Sequence, residues 1–252
     1  QDWVLTEGAP DYVGAQNFID ILSEARWITS LGRTLLFTCL AVGAEVLIGF
    51  GIALLLYQRF NDLRWLQALF LMPMMISEVV AALAWRLLLS GDGSLANWIM
   101  ESLGLPPQLW LGPRWAFPSV VVVDIWQQTP FVVLVLFAAL QGVPVTLLEA
   151  AALDGAGLIQ RVRHVILPLL MPALSVVLIF RTVFALRVFT TVWILTGGGP
   201  GNKTAVLGIE IYRTAFQTFD VGIGAALSLI MLLISLVIAL ITMRATRRES
   251  LA

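Results

Sequence analysis

The sequence has few charged residues, one cysteine and one histidine. Only 12% of its 252 residues are Asp, Glu, Lys or Arg, against about 25% in soluble domains. This charge is too low to cover a water-soluble particle of this size or to keep a chain disordered, so both classes are excluded. The single cysteine, Cys39, excludes an internal disulfide and a cysteine metal cluster, and His164 alone leaves little room for a histidine-based active site.

Apolar residues are abundant instead. They make up 59% of the chain, and the mean hydropathy is +0.91. A helix that crosses the hydrocarbon core of a bilayer needs roughly 20 predominantly apolar residues. The stretches that meet this requirement are residues 34–57, 65–89, 115–142, 167–196 and 221–243. We therefore predict an all-α integral membrane protein with five spans.

Basic residues in the connections predict the orientation, because cytoplasmic loops carry an excess of Lys and Arg. Arginines collect in the first-to-second and third-to-fourth connections and in the tail, whereas acidic residues dominate the other connections. This distribution predicts an extracytoplasmic segment at 1–33, a transmembrane domain at 34–243 and a cytoplasmic tail at 244–252. Five spans that start outside suggest an earlier span that carried the chain out, so we expect a sixth, N-terminal span upstream of Gln1.

Two of the predicted external connections have local signals. Apolar residues at helical spacing within 93–105, such as Trp98 and Leu103, predict a short interfacial helix. The stretch Gly197 to Thr204 looks like a phosphate-binding loop, but Asn202 stands where that loop needs a glycine before the lysine. We therefore predict a tight external turn there and no nucleotide site.

The connection between the third and fourth spans, residues 143–167, is much longer than a minimal turn. Thr146 and Glu149 stand three residues apart after a proline, which is the capping-box arrangement at the start of a helix. Asp154-Gly155 predicts the end of this helix, because glycine readily adopts the left-handed conformation of a C-cap. A second helical stretch should follow and end at Leu167-Pro168.

Two functions are open for a short amphipathic helix at a membrane surface. It can lie on the lipid headgroups, or it can dock on a soluble partner. Three small alanines at 150–152 and the following Gly155 permit close approach of another protein surface. They favour docking over lipid binding.

The residues of this connection resemble the EAA loop of ABC importer permeases. The shared positions are Glu149-Ala150-Ala151, Gly155, Val165 and Leu167-Pro168, with valine where the family usually has isoleucine. The resemblance implies the fold of a type I ABC importer transmembrane domain. In that family the loop is the coupling helix, which sits in a groove of the ATP-hydrolysing subunit. The resemblance therefore implies ATPase-coupling roles for the residues in this helix, which are Glu149, Ala150, Ala151, Asp154 and Gly155.

A second set of motifs resembles the sugar-type permeases of the maltose and glycerol-phosphate importer group. It includes Leu195 to Pro200, Phe180-Arg181, Arg187 to Phe189, and Leu71 to Pro73 in the second span. Val13 to Phe18 matches the segment that follows the first membrane helix in that family, which agrees with a missing upstream span. One departure is Thr190, where close relatives often have aspartate.

This resemblance implies the partners. They are a second homologous permease, a dimer of ATPase subunits and an extracytoplasmic solute-binding protein, assembled in the lipid bilayer of a bacterial cytoplasmic (inner) membrane. ATP and Mg would bind the ATPase, so we expect no cofactor, metal or catalytic site in this chain and no nucleic-acid partner. The predicted function is the import of a sugar or sugar derivative from the binding protein into the cytoplasm.

Polar residues within the spans are the candidates for the substrate path, because charges in a membrane are costly and often functional. The resemblance implies a path lined by Gln127, Gln128, Thr129, Phe131, Arg181, Arg187 and Thr190. Packing between helices is an equally open role for each of them. Because Thr190 replaces an acid near Arg187, the two arginines could bind an anionic sugar through charge-assisted hydrogen bonds.

A secondary transporter driven by an ion gradient is the alternative. It would use the membrane acids Glu45, Glu78 and Asp124 as ion sites. It does not explain the structured cytoplasmic connection, and the spans have no evident inverted repeat.

Overall fold

A computed structural model describes residues 12–59 and 64–249 of the chain. The predicted sites lie within these ranges, but the predicted external segment is described only from residue 12, and the tail only to residue 249. The elements in these ranges are helices, numbered α1 to α12: Gln16–Ser23, Ala25–Arg59, Arg64–Met75, Glu78–Leu89, Leu95–Ser102, Ala116–Gln141, Val145–Leu153, Leu158–Arg161, Leu167–Leu186, Thr190–Thr196, Leu207–Tyr212 and Val221–Glu249. Two π-helical turns, Val162–Ile166 and Arg213–Gln217, continue α8 and α11.

Within the described residues, four to five helices meet the requirement for a membrane span, and five are predicted. Four helices are long and apolar enough to cross a membrane: Ala25–Gln58, Ala116–Gln141, Leu158–Leu186 and Val221–Arg244. A fifth candidate consists of Ala68–Met75 and Glu78–Leu89, which meet at an angle of 98°. The bend follows Pro73, which removes a backbone donor from the end of α3.

The chain divides into two compact units, and each is described by itself. The first contains the chain up to Ala41 with 76–124 and 184–236, and the second contains 42–75, 125–183 and the chain from Val237 onward. The predicted external connections all fall in the first unit. The predicted cytoplasmic connections fall in the second.

Two predicted span boundaries differ from the structure. Helix α2, which contains the first predicted span, begins at Ala25 rather than Thr34, and the predicted boundary of the external segment at residue 33 stays a prediction. The fourth span was predicted to run to Thr196, but α9 ends at Leu186 and a turn precedes α10. Hydropathy does not reveal this break, because two of its three residues, Val188 and Phe189, are apolar and the single charge of Arg187 does not end an apolar stretch.

The predicted coupling connection, residues 143–167, also differs from its prediction at two points. Pro144 precedes α7 in an extended conformation, and no side chain among the described residues caps the helix, so the Thr146–Glu149 capping box is wrong. The second helical stretch does not end at Leu167-Pro168 but runs through the π-helical turn into α9. The wider turn leaves room for the ring of Pro168, which would otherwise meet the preceding turn of an α-helix.

The predicted end of α7 is confirmed. Gly155 has a φ of +80°. The amide of Gly155 donates to the carbonyl of Ala152 at 3.1 Å, and the amide of Ala156 donates to that of Ala151 at 2.9 Å. This pair of hydrogen bonds is the Schellman motif, which satisfies carbonyls left unpaired at a helix end.

Each unit has an apolar core that positions its sites. The core of the second unit joins α2, α6 and α9 through side chains such as Leu56, Leu136 and Leu170. A Cβ on Gly49 would lie 2.6 Å from Val132 Cγ1, so α2 and α6 approach closely there, as membrane helices do at small residues. The core of the first unit includes Ile21, Trp27, Leu207, Ala226 and Leu227.

Candidate functional site

The predicted coupling helix α7 lies at the surface of the second unit. None of its residues, all of which the structure describes, is buried. Leu153 is 89% exposed, and Ile159 in the next helix is 81% exposed. Large apolar side chains this exposed indicate a surface that contacts something other than water.

The five predicted coupling residues share this surface. Glu149, Ala150, Asp154 and Gly155 are exposed, and Ala151 is half-buried. Gly157 then starts α8, where its amide donates to Gln160 Oε1 at 2.8 Å. Helix α8 continues through the π-helical turn to Leu186 as one candidate membrane span. Only the turn after α7 therefore separates α7 from that span in the sequence.

Arg181, one of the predicted path residues, forms a buried ion pair with Glu45. Arg181 Nε donates to Glu45 Oε2 at 2.6 Å, and Arg181 Nη2 donates to Glu45 Oε1 at 2.8 Å. The two side chains are almost inaccessible to solvent. This two-bond geometry fixes the distance and angle between α2 and α9. Removing one partner from such a pair costs about 3–5 kcal/mol, since it leaves a buried charge uncompensated.

The other path candidates of the second unit lie along α6. Gln127 and Thr129 are buried, whereas Gln128 and Phe131 are half-buried. Thr129 Oγ1 donates to the carbonyl of Ile125 at 2.6 Å. The ring of Phe131 lies 6.5 Å from that of Phe180 on α9.

A mostly apolar pocket of about 400 Å³ opens beside this part of α6. Its lining includes Trp126, Thr129 and Pro130 from α6, together with Phe70 and Pro73 from α3. Of the four path candidates on α6, the structure brings Thr129 to this pocket.

Arg187 and Thr190 belong to the first unit. Arg187 is exposed in the turn after α9, and Thr190 is the half-buried first residue of α10. The seven path candidates are thus divided between the units, five in the second and two in the first. Their roles stay predictions.

Two charges of the second span hold α10 against α4. Thr191 Oγ1 donates to Glu78 Oε1 at 3.1 Å, and Arg86 Nη1 donates to the carbonyl of Ile194 at 3.0 Å. The partners lie 113 and 108 residues away in the sequence. The ion-gradient alternative would use Glu45 and Glu78 as ion sites. Both carboxylates instead accept hydrogen bonds from another helix, Glu45 from α9 and Glu78 from α10.

The glycine-rich stretch after α10 is a turn, as predicted. Gly197 has a φ of +60° and Gly198 has a φ of +87°. Arg213 Nη2 donates to the carbonyl of Gly197 at 2.7 Å, and Arg213 Nη1 donates to Asn202 Oδ1 at 2.8 Å. Thr204 Oγ1 donates to the carbonyl of Gly199 at 2.8 Å. These bonds close the loop on itself.

Sequence reasoning missed a group of four aromatic rings in the first unit, which we call the aromatic platform. It consists of Phe189, Trp193, Tyr212 and Phe216. The ring centroids lie 5.9 Å apart for Phe189–Trp193, 4.8 Å for Trp193–Tyr212 and 5.6 Å for Tyr212–Phe216. The signal was present in the sequence, because each of the pairs 189/193 and 212/216 has the i,i+4 spacing that places two side chains on one helix face.

Comparisons with known proteins agree with the resemblance. Residues 26–249 match the family described as binding-protein-dependent transport system inner membrane component. The trehalose/maltose transport system permease protein MalF of Thermococcus litoralis is 37% identical over 237 residues, which are 94% of this chain and 80% of that protein. The sulfoquinovosyl glycerol transport system permease protein SmoG of Agrobacterium fabrum is 32% identical over an alignment of 258 positions, gaps included. This alignment covers 97% of this chain and 80% of that protein.

A solved structure agrees in fold. It is a bacterial alginate ABC transporter in complex with alginate pentasaccharide-bound periplasmic protein. The similarity covers 95% of this chain and 84% of that chain, with 26% identity and a TM-score of 0.85. Together with the engaged acids, these findings do not favour an ion-gradient transporter. The chain belongs to the family of inner membrane components of binding-protein-dependent transport systems.

Proposed function

We propose that this chain is the permease subunit of an ATP-driven importer that moves a sugar or sugar derivative into the cytoplasm. The observation that carries the proposal is α7, an exposed helix with an apolar surface and the residues of the EAA loop. The names of the relatives support the substrate class, since they refer to trehalose, maltose and sulfoquinovosyl glycerol. The alginate transporter, whose complex includes a periplasmic protein, supports delivery by a binding protein.

In the proposed assembly, this chain pairs with a second homologous permease and rests on a dimer of ATPase subunits. The ATPase holds ATP and Mg, so the chain itself performs no catalysis. Helix α7 and the tail from residue 244 face the cytoplasm, and the glycine-rich turn and the aromatic platform face outward. The arginines of the second unit's connections support this orientation, because basic loops are retained on the cytoplasmic side.

The proposed coupling mechanism follows the covalent path from α7 to α9. Closure of the ATPase pair pushes on α7, and the Schellman turn at Gly155 passes the force to α8 and into the continuous helix Leu158–Leu186. The ion pair between Arg181 and Glu45 then transfers the movement to α2. Access switches when these helices move together, and the binding protein releases its sugar into the path.

The two arginines differ in what they offer to a substrate. The charge of Arg181 is already balanced by Glu45, so we assign Arg181 to the coupling of helices. Arg187 is exposed and remains the candidate for contact with an anionic sugar. Import of both neutral and acidic sugars by wild-type and Arg187→Ala complexes would measure this contribution.

Co-purification tests the proposed coupling. Glu149→Lys inverts a charge on the proposed ATPase contact, and we expect the ATPase to be lost from the purified complex. Glu101→Lys is the matched control, because Glu101 is also an exposed acid in a short helix but belongs to the other unit. Retention of the ATPase by the Glu149→Lys complex would contradict the docking role of α7.

A further inference from the structure

Four aromatic side chains of the first unit are packed against one another without forming its core. The core of this unit is built from other residues, among them Trp27, Leu207 and Leu227. In contrast, Phe189, Trp193 and Tyr212 are only half-buried, and Phe216 is 66% exposed. The four rings are thus in mutual contact and only partly buried.

The rings are held on well-fixed backbone. Phe189 precedes α10, and its carbonyl accepts from the amide of Trp193 at 2.8 Å. The ring planes of these two residues are inclined by only 13°. A Cβ on Gly208 would lie 2.9 Å from the carbonyl oxygen of Val188, so α11 packs directly on the turn that carries Phe189. This packing brings the Tyr212 ring to 5.3 Å from that of Phe189.

The bonds around α10 keep the platform in place. Glu78 and Arg86 tie α10 to α4, and Arg213 joins the segment after Tyr212 to the carbonyl of Gly197 at the end of α10. A preorganised surface of this kind loses little entropy when a ligand binds.

The chemistry of the platform fits a pyranose ring. The faces of aromatic rings are electronegative, and they attract the slightly positive C–H bonds on the face of a sugar. Trp193 and Tyr212 also bring an N–H donor and a hydroxyl to the edges of the rings. Arg187 lies two residues before Phe189, and Thr190 directly follows it, so polar side chains adjoin the rings. Ligand sites combine such apolar walls with a few polar groups.

We infer that Phe189, Trp193, Tyr212 and Phe216 form a carbohydrate-stacking subsite that receives a pyranose ring during import. This inference rests on the proposed sugar-importing function and extends it to four residues outside the predicted path. A surface for the second permease would also favour Trp and Tyr. The partial burial of the rings and their polar edges favour a small ligand. The experiment distinguishes a bound sugar from contact with the second permease.

The test uses the complete transporter, with both permeases, the ATPase and the binding protein, reconstituted into liposomes. Import of maltose, trehalose and an alginate oligosaccharide is measured over a range of sugar concentrations. For Trp193→Ala and Phe216→Ala we expect the KM for the imported sugar to rise about tenfold, which corresponds to about 1.4 kcal/mol of binding, with little change in kcat. Trp193→Phe, which retains an aromatic face, should recover most of the affinity.

Trp98→Ala is the matched control, since Trp98 is 64% exposed in the same unit but lies outside the platform. Its KM should equal that of the wild type. Unchanged KM values for both platform variants would overturn the inference while leaving the sugar-importing function intact. Loss of the second permease from the purified Trp193→Ala complex would overturn it in favour of a protein interface. If the binding protein delivers, and the wild-type complex imports, a solute that is not a sugar, the proposed function fails and this inference fails with it.

Discussion

Helices α5 and α7 are two short helices that end in the same way but differ in how they begin and in the bonds that hold them. Gly104 closes α5 as Gly155 closes α7, with φ values of +72° and +80°. The amide of Leu105 donates to the carbonyl of Met100 at 2.9 Å, as the amide of Ala156 donates to that of Ala151. Both ends are therefore Schellman motifs.

The beginnings and the contacts of the two helices are different. Ser94 caps α5 by accepting from the amide of Asn97, whereas Pro144 precedes α7 with no side-chain cap in the described part of the chain. Asn97 is buried, and its amide group bonds to Gly91, Gln108 and Trp110. Helix α5 is thus stabilised by side-chain bonds within the chain, whereas none of the residues of α7 is buried, as the proposed docking on the ATPase requires.

The largest difference is expected from proline at the two closing glycines. Proline cannot adopt a positive φ and has no N–H to donate, so either substitution breaks a Schellman motif. Gly155→Pro should abolish ATP-driven import, because it severs the proposed route from α7 to α8. Gly104→Pro should retain at least half of the wild-type rate. The comparison is made by import into liposomes, and equal losses in the two variants would contradict a special role of α7.

A smaller effect, on stability, is expected from Asn97→Ala. The change removes a side chain that satisfies two carbonyls, one amide and the Trp110 Nε1 donor. Leaving such buried groups unpaired costs about 1–3 kcal/mol. Thermal unfolding of the purified complex in detergent should show a lower midpoint. The matched change in α7 is Glu149→Ala, at an exposed position, and a similar loss there would show that α7 is stabilised by the chain as α5 is.

The smallest effect concerns the N-caps. Ser94→Ala should cost about 1 kcal/mol, the usual value for a lost cap. Thr146→Ala should be neutral within about 0.5 kcal/mol, because it changes an exposed side chain that caps nothing. Denaturant titration of each variant measures both values. A loss at Thr146 equal to that at Ser94 would restore the capping box that the structure lacks.

Hydropathy predicted the spans well, because a long apolar stretch in a membrane can satisfy its backbone hydrogen bonds internally only as a helix. It missed the break after Leu186, because the only charge there is Arg187 and the bonds that hold α10, from Glu78 and Arg86, come from more than 100 residues away. The capping box was wrong for a local reason, since the proline before α7 already sets where the helix begins.

The candidate site was predicted unevenly. The predicted coupling residues stand in one continuous segment, so the sequence alone shows both their motif and the glycine that ends α7. The ion pair between Arg181 and Glu45 could not be predicted from the sequence. The two residues lie 136 positions apart, and hydrophobic periodicity does not indicate which helices pair. The aromatic platform combines two i,i+4 pairs from separate helices, and only the fold brings these pairs together.

Photo-crosslinking from α7 tests the central claim most directly. A photoreactive phenylalanine derivative is placed at Leu153, which is 89% exposed, or at Trp98 in α5 as the control. In the assembled transporter, we predict an adduct between the permease and the ATPase from position 153 and none from position 98. An assembled complex that yields no ATPase adduct from position 153, or an equal yield from position 98, would contradict the assignment of α7 as the coupling helix.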